Sequence, residues 1–162
     1  MTAVSTFLVD YSDLHHAADM MRLLNEYAQD PMGAGKPLDS VIMETLPSKL
    51  ASVPGAFSVL GLIDGRAEGL INCLPSFSTF KAMPIVNIHD IIVSANSRGT
   101  GLCGTMLDAV NEVALQRGCC KVTLEVLTGN EPAQVAYRKA GFDGYQLDPK
   151  MGHALFWEKS LI

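Results

Sequence analysis

The sequence predicts an α/β protein with one mixed β-sheet of about six to seven strands, flanked by about four helices. A hairpin signal before the middle of the chain indicates that the sheet is antiparallel at its start. A strand, a glycine-rich loop and a helix then indicate a parallel pair, because a right-handed crossover returns the chain to the same sheet. With 162 residues, 48% of them hydrophobic, we expect a single domain over residues 1–162.

The first elements are a strand and two helices. Residues 6–11 predict the strand, and Ser12 or Asp13 can cap a helix whose apolar residues recur at helical spacing. Asp39 can start a second helix, which we expect Pro47 to kink or restart. These elements precede the hairpin.

The sheet is predicted from three further segments. Residues 56–63 and 66–74 flank an Asp-Gly pair, the strongest short hairpin signal. Residues 85–93 form a β-branched run too continuous for a half-solvated strand, so we expect this strand to be central. Residues 121–127 predict the next strand, parallel to the central one.

The last third of the chain predicts one helix and two strands. Asn130 can cap a short helix that stops at Gly141. Residues 142–147 and 154–159 suggest two closing strands.

A glycine-rich loop joins the central strand to the third helix. Its residues are Arg98, Gly99, Thr100, Gly101, Leu102, Cys103 and Gly104. The first N–H groups of a helix lack partners, the helix dipole is positive there, and glycine lets an anion come close. The loop therefore predicts a phosphate-binding cradle; the alternative is a tight strand-to-helix turn without a ligand.

Charge and composition exclude several classes of partner. The formal charge of −5 comes from 12 basic and 17 acidic residues without a basic run, so we expect no nucleic-acid partner. No Lys or Arg precedes Asp10, and no apolar run approaches the length of a membrane span. We expect a soluble, cytoplasmic protein without a membrane partner, and the acidic balance suits a cationic substrate.

The cysteines and histidines do not indicate a metal site or a disulfide. The four cysteines show no C-x-x-C spacing, and we expect reduced thiols. His15 and His16 lack a second ligand at helical spacing, so we expect no metal.

Two motifs resemble those of the GNAT superfamily of acetyl-CoA-dependent N-acetyltransferases. Arg98-Gly99-Thr100-Gly101-Leu102-Cys103 resembles the family's Arg/Gln-x-x-Gly-x-Gly/Ala loop, with Cys103 departing from the preferred Gly or Ala. Asn130-x-x-Ala133-x-x-x-Tyr137-x-x-x-Gly141-Phe142 resembles its second signature. A weaker likeness, from His89-Asp90 and Asn130-Glu131-Pro132, is to the polyamine and diamine branch.

The resemblance implies acetyl-CoA as co-substrate and a splayed parallel pair of strands. The pyrophosphate would lie on the N–H groups of residues 98–104, and the pantetheine arm would run along the edge of the central strand. The splay would leave unpaired backbone groups at Ile91, Ile92 and Val93, and a β-bulge near residues 90–92 would produce it. Asn130 would cap the last helix or contact the pantetheine arm.

The resemblance also implies catalytic roles and places Ala133 and Tyr137 beside the cofactor. A phenol is protonated at neutral pH, so Tyr137 can act as general acid toward the departing thiolate; alternatively its ring fills the core. His89 can serve as base, directly or through water, or it is a core histidine bonded to backbone. Since alkylammonium groups are charged at pH 7, some base or water relay is needed.

Alternation along the central strand separates two candidate residues. His89, Ile91 and Val93 are predicted on one face, and Ile88, Asp90 and Ile92 on the other. Asp90, and Glu125 in the next strand, are candidate ligands for a substrate ammonium or carboxylates bonded within the fold. We expect direct transfer to a primary amine of a small molecule or peptide in a ternary complex, because no cysteine has a base positioned to activate it.

Two other functions fit parts of the pattern. Gly99-x-Gly101-x-x-Gly104 with Glu125 also satisfies the fingerprint of an NAD(P)-binding Rossmann-type protein, although little chain follows for further strands. A non-catalytic acyl-CoA-binding regulatory module would keep the cradle without turnover. Phe156 and Trp157 alternate in the last predicted strand, which fits a homodimer contact or an ordinary exposed aromatic residue.

Overall fold

The computed structural model describes residues 3–145 and 148–162. The chain divides into two compact units, which meet in sequence between Leu124 and Glu125. The single domain over residues 1–162 therefore stays a prediction.

The first unit contains a sheet and three α-helices. Its elements are β1 (Val4–Leu8), α1 (Leu14–Gln29), α2 (Ser40–Ala51), β2 (Phe57–Ile63), β3 (Arg66–Ser78), β4 (Met83–Val93), a 3-10 turn (Ala95–Ser97), α3 (Leu102–Gln116) and β5 (Val122–Leu124).

The sheet is mixed, as predicted. The strand order is β1-β2-β3-β4-β5, in which the first four strands are antiparallel neighbours and β4 pairs with β5 in parallel. The strand predicted to be central, β4, lies inside the sheet between β3 and β5. A Rossmann domain requires a largely parallel sheet, so this topology contradicts the dinucleotide-binding alternative.

The hairpin between β2 and β3 is confirmed. Asp64 and Gly65 connect the two strands with φ angles of 50° and 82°. Positive φ at both central residues is the type I′ arrangement, whose twist matches that of the flanking strands.

The two N-terminal helices begin where the sequence predicts. Asp13 caps α1, where its carboxylate accepts from the backbone N–H groups of His15 and His16 at 2.8 and 3.0 Å. Asp39 precedes α2 without a side-chain cap bond. Of the two effects predicted for Pro47, a kink or a restart, the restart is not observed, because α2 continues as one helix. Residues on both sides of the proline pack against the same core and hold the helix together: Met43, Leu46 and Leu50.

One face of the sheet packs against α1. The buried residues Met20 and Leu24 of α1 share a cluster with Leu60 of β2, Leu70 of β3 and Ile92 of β4. Leu60, Leu70 and Ile92 are successive register partners, one from each strand, so they form a row across the sheet and place α1 over its middle strands.

The opposite face packs against α3, and two glycines let the helix approach closely. Gly61 and Gly69 are register partners in β2 and β3. A Cβ atom built on either glycine would stand less than 3 Å from Met106 of α3. The start of α3 therefore lies directly on the backbone of the sheet.

The second unit contains α4 (Glu131–Lys139) and a 3-10 turn (Pro149–Met151). The predicted closing strands are not observed in the described residues: residues 142–145 and 154–159 form no strand, and residues 146–147 lie outside them. Leu155, Phe156 and Trp157 are 76%, 74% and 84% exposed. Three successive exposed apolar side chains leave neither face buried, and a strand needs a buried face and a partner. The described sheet thus has five strands rather than six or seven.

Within the described ranges, none of the helices has the length and apolarity that crossing a bilayer requires.

We expect Gly61→Ala to lower the free energy of unfolding by about 1–3 kcal/mol, because the added Cβ would stand 2.7 Å from Met106 Sδ and 2.8 Å from its Cγ. Urea denaturation measures this change. Gly104→Ala is the matched control: its Cβ would meet nothing within 4 Å, so no loss is expected. Equal stability of Gly61→Ala and the parent protein would contradict the close approach of α3.

Candidate active site

The glycine loop presents backbone N–H groups to open space. Gly99 and Gly101 have φ angles of 78° and 88°, and no side chain caps α3 at its start. The first backbone bond back to the loop is from Thr105 N–H to Gly101 O at 3.2 Å. The N–H groups of the three preceding residues therefore lack intrahelical acceptors; they are Leu102, Cys103 and Gly104.

The space beside these N–H groups is open. A Cβ atom added at Gly99, Gly101 or Gly104 would meet nothing within 4 Å. Leu102 contributes only backbone, because its side chain is buried under the sheet. Open space beside free N–H groups at the positive end of a 15-residue helix suits a phosphate group.

Acidic residues at the end of α1 hold the segment before the loop. The Glu26 carboxylate accepts from Ser94 Oγ at 3.1 Å and from Ala95 N–H at 3.2 Å. Further along, Thr100 Oγ1 donates to Ser97 O at 2.7 Å. The loop conformation is thus fixed from α1 and from within. Sequence reasoning missed Glu26, because nothing in the local pattern links it to a loop 68 residues away.

The Arg98 side chain is bound to the protein itself. Its guanidinium lies 3.1 Å from the Asp30 carboxylate, and its Nε donates to Val93 O at 3.4 Å. The backbone N–H of Met32 and the Arg98 guanidinium both lower the pKa of Asp30. Arg98 therefore acts as a link between α1 and the loop.

A β-bulge lies in β4 close to the predicted position. Asn72 is opposite Asp90 and Cys73 is opposite Ile88, so His89 is the extra residue. The prediction for the bulge was residues 90–92; it lies one residue earlier.

The extra residue changes which side chains share a face. Ile92 packs against α1, and Asp90 shares its face by alternation. Ile88 lies opposite Cys73, which shares its face of β3 with Gly69 and therefore faces α3. The prediction that Ile88 shares a face with Asp90 is wrong, because the bulge shifts the alternation between them.

Beyond the bulge, β4 continues without its parallel partner. The pairing with β5 ends at Ile88 and Leu124, whereas β4 runs on to Val93. In the described part of the first unit, residues 89–93 therefore pair only with β3. An early end to the pairing is what the splay implied by the resemblance requires.

The backbone groups at this edge follow from alternation. Ser94 N–H donates to Glu68 O in β3 at 2.8 Å, so the groups of Ile92, two residues earlier, also face β3. Those of Ile91 and Val93 face the open edge. Two of the three residues predicted to contact the cofactor thus offer groups there, and Ile92 does not.

His89 and Asp90 have different surroundings. His89 is exposed, and its side chain makes no hydrogen bond to the residues that the structure describes. Asp90 is half-buried and accepts from Asn72 Nδ2 at 2.9 Å. Burial and then the charge of Asp90 raise the pKa of Tyr27, which places this phenol of α1 near the carboxylate.

In the second unit, Asn130 caps α4, as predicted: its Oδ1 accepts from Ala133 N–H at 3.3 Å. Tyr137 is half-buried, and its ring packs edge-on against Phe142 with centroids 6.3 Å apart.

Glu125 is exposed and lies outside β5, which ends at Leu124; the predicted strand over residues 121–127 was too long.

The cysteines are free, and two of them are poor nucleophiles. Burial raises the pKa of Cys73 to about 12, and burial also raises the pKa of Cys103. Across residues 3–145 and 148–162, no group of three or more His, Cys, Asp or Glu side chains could hold a metal ion.

Known proteins resemble this chain in sequence and in structure. A thialysine N-ε-acetyltransferase from Bos taurus is 38% identical over 66 residues, which cover 41% of this chain and 38% of that protein. The matched part thus spans well under half of that relative.

Two solved structures share the fold over nearly the whole chain. An aminoglycoside acetyltransferase from an uncultured soil metagenomic sample, in complex with trehalose, has a TM-score of 0.73 at 18% identity and covers 96% of this chain and 97% of its own. The aminoglycoside N-acetyltransferase AAC(6')-Iy in complex with CoA has a TM-score of 0.76 at 14% identity and covers 98% and 96%.

The model of the acetyltransferase (GNAT) family matches residues 18–142, which include both motifs and all of the site residues considered above. The chain therefore belongs to the GNAT family of acetyltransferases.

Proposed function

We propose that this protein transfers an acetyl group from acetyl-CoA to a primary amine of a small molecule or peptide, by direct attack in a ternary complex. The observation that carries the proposal is the uncapped start of α3, where backbone N–H groups face open space. The strand that leads to this loop, β4, has one edge without a paired strand after Ile88. The N–H groups at the start of α3 suit a diphosphate. The unpaired strand edge suits an extended arm that carries amide groups.

The backbone of the first unit would hold the cofactor. The pyrophosphate would bind the N–H groups of residues 98–104, and the pantetheine arm would bind the backbone of Ile91 and Val93. Acetyl-CoA supplies a thioester, which is an activated acyl group. Among the residues of the second signature, Asn130 and Ala133 are proposed as further cofactor contacts, supported by their motif.

The acceptor would be a cationic amine. The similar proteins described above are thialysine and aminoglycoside acetyltransferases, and both of these acceptors carry such groups. Asp90 on the α1 face is the carboxylate proposed to bind an ammonium, and Glu125 is the alternative candidate. The exposed His89 is proposed as the base, directly or through one water.

Tyr137 is proposed as the general acid that protonates the departing thiolate. The support is its phenol, protonated at neutral pH, and its position seven residues after Asn130 in the signature.

We also propose that the protein is cytoplasmic and forms a homodimer. Four free cysteines suit a reducing compartment. The exposed Leu155, Phe156 and Trp157 offer apolar surface to a second copy.

Purified protein should release free thiol from acetyl-CoA in the presence of an amine. The panel is thialysine, an aminoglycoside and a peptide with a free N-terminal amine, and mass spectrometry locates the acetyl group. Binding of coenzyme A without turnover on any amine would favour the regulatory module instead. Failure to bind coenzyme A would contradict both.

The cradle can be tested without loss of the fold. Gly104→Glu should stabilise α3, since glutamate is a better helix former and suits a helix N-terminus, yet its charge should weaken coenzyme A binding by about 10-fold or more through repulsion of the diphosphate. Calorimetric titration measures the binding. Leu115→Glu, which adds the same charge at a position of α3 that is 75% exposed, is the control and should bind normally. Normal binding by Gly104→Glu would contradict the cradle.

Tyr137→Phe removes only the phenolic oxygen. We expect kcat to fall by about 100-fold, because general acid catalysis contributes that order, while the KM for acetyl-CoA stays within about 3-fold. Steady-state kinetics with a circular-dichroism check of folding measure this. Unchanged kcat would remove Tyr137 as the acid.

Cys73 should not carry the acetyl group. With a pKa of about 12, about one Cys73 thiol in ten thousand is ionised at pH 8, so iodoacetamide should alkylate it only after unfolding. Peptide mapping of native and denatured samples measures the labelling. Rapid alkylation of native Cys73, or acetyl-Cys73 after incubation with acetyl-CoA alone, would contradict direct transfer.

A further inference from the structure

A row of four polar side chains crosses the sheet of the first unit. Tyr11 follows β1, Ser58 lies in β2, Asn72 in β3 and Asp90 in β4, and the last three are successive register partners. Tyr11 Oη lies 2.8 Å from Ser58 Oγ, which lies 2.6 Å from Asn72 Oδ1. Asn72 Nδ2 lies 2.9 Å from Asp90 Oδ2.

Chemistry sets the direction of every hydrogen bond in this row. The amide nitrogen of Asn72 lies against Asp90 Oδ2, so Asn72 donates and the carboxylate oxygen accepts. The carbonyl oxygen of Asn72 then accepts from Ser58, whose only proton is used, and Ser58 accepts from Tyr11. All three donors therefore point toward Asp90, which is the arrangement that stabilises a negative charge at the end of the row.

The row is buried among apolar residues. Ser58 is 0% exposed and Asn72 is 4% exposed, and they share their face of the sheet with Leu60 and Leu70 of the core. A buried amide or hydroxyl stabilises a fold little, even when satisfied, compared with an apolar side chain of the same size. Packing alone thus does not account for polar residues here.

The row ends at the Asp90 carboxylate, of which Asn72 binds only one oxygen. Asn72 binds Oδ2 of Asp90, and no side chain in the described residues forms an ion pair with Asp90. The nearest guanidinium in the loop after β4, that of Arg98, is paired with Asp30. Asp90 also directly follows the bulge, where the edge of β4 becomes open.

We propose that Asn72, Ser58 and Tyr11 are positioning residues that fix the Asp90 carboxylate so that its second oxygen binds the ammonium of a cationic acceptor. The inference rests on the proposed function. It specifies a cationic acceptor, and it assigns a positioning role to three residues that do not themselves contact the acceptor.

The test is steady-state kinetics with thialysine or, if it is the better acceptor, the aminoglycoside. Asn72→Leu should raise the KM for the amine by about 10-fold, the order expected for losing a hydrogen bond to a charged group. The kcat and the KM for acetyl-CoA should stay within about 2-fold, since amine binding is lost equally in the ground and transition states. Ser58→Ala and Tyr11→Phe should have successively smaller effects.

A double-mutant cycle separates positioning from general destabilisation. In an Asp90→Asn background, Asn72→Leu should no longer change the KM for the amine, because the carboxylate charge that Asn72 positions has been removed. Arg22→Met is the control: it removes a 2.6 Å bond to Ala67 O elsewhere in the first unit and should leave this KM unchanged. Thermal denaturation follows the stability of each variant.

An unchanged KM in Asn72→Leu, or the same rise with and without Asp90, would overturn the inference while the proposed function stands. Absence of amine-dependent turnover in the parent protein would overturn both. Should Asn72→Leu not fold, Ser58→Ala in the same cycle decides.

Discussion

The extra residue that β4 carries at His89 sets the geometry on which the site depends. Before the bulge, β4 has two hydrogen-bonded neighbours; after it, the pairing with β5 stops and the backbone of Ile91 and Val93 turns toward the open side. The same insertion moves Asp90 to the face opposite that of Ile88. The bulge therefore coincides with the start of an unpaired edge of β4, and a carboxylate directly follows it.

The loop after β4 is positioned from both faces of the sheet. On one face, Gly61 and Gly69 let α3 lie close to the backbone of the sheet, and this close approach determines the position of the first turn of α3. On the other, Glu26 and Asp30 at the end of α1 hold the segment between β4 and α3. Both interactions join residues far apart in sequence, so the tertiary fold rather than the local sequence determines where the loop lies.

Local patterns predicted what local physics determines. The Asp-Gly turn, the Asp13 and Asn130 caps and the glycine loop each depend on a few neighbouring residues, and all are observed. The bulge at His89 and the row from Tyr11 to Asp90 depend on the register between strands, which no single segment encodes. The two closing strands were predicted over residues 142–147 and 154–159, but a segment forms a strand only where a partner strand and a buried face exist.

The pairing of Arg98 with Asp30 affects how the proposed anion site would work. With that guanidinium paired, the loop would attract phosphate through oriented peptide dipoles more than through net positive charge. Dissolved ions screen direct hydrogen bonds to a bound anion less than they screen the long-range attraction between exposed charges. Binding of a diphosphate at this loop should accordingly depend less on ionic strength than binding to a cluster of exposed basic side chains would.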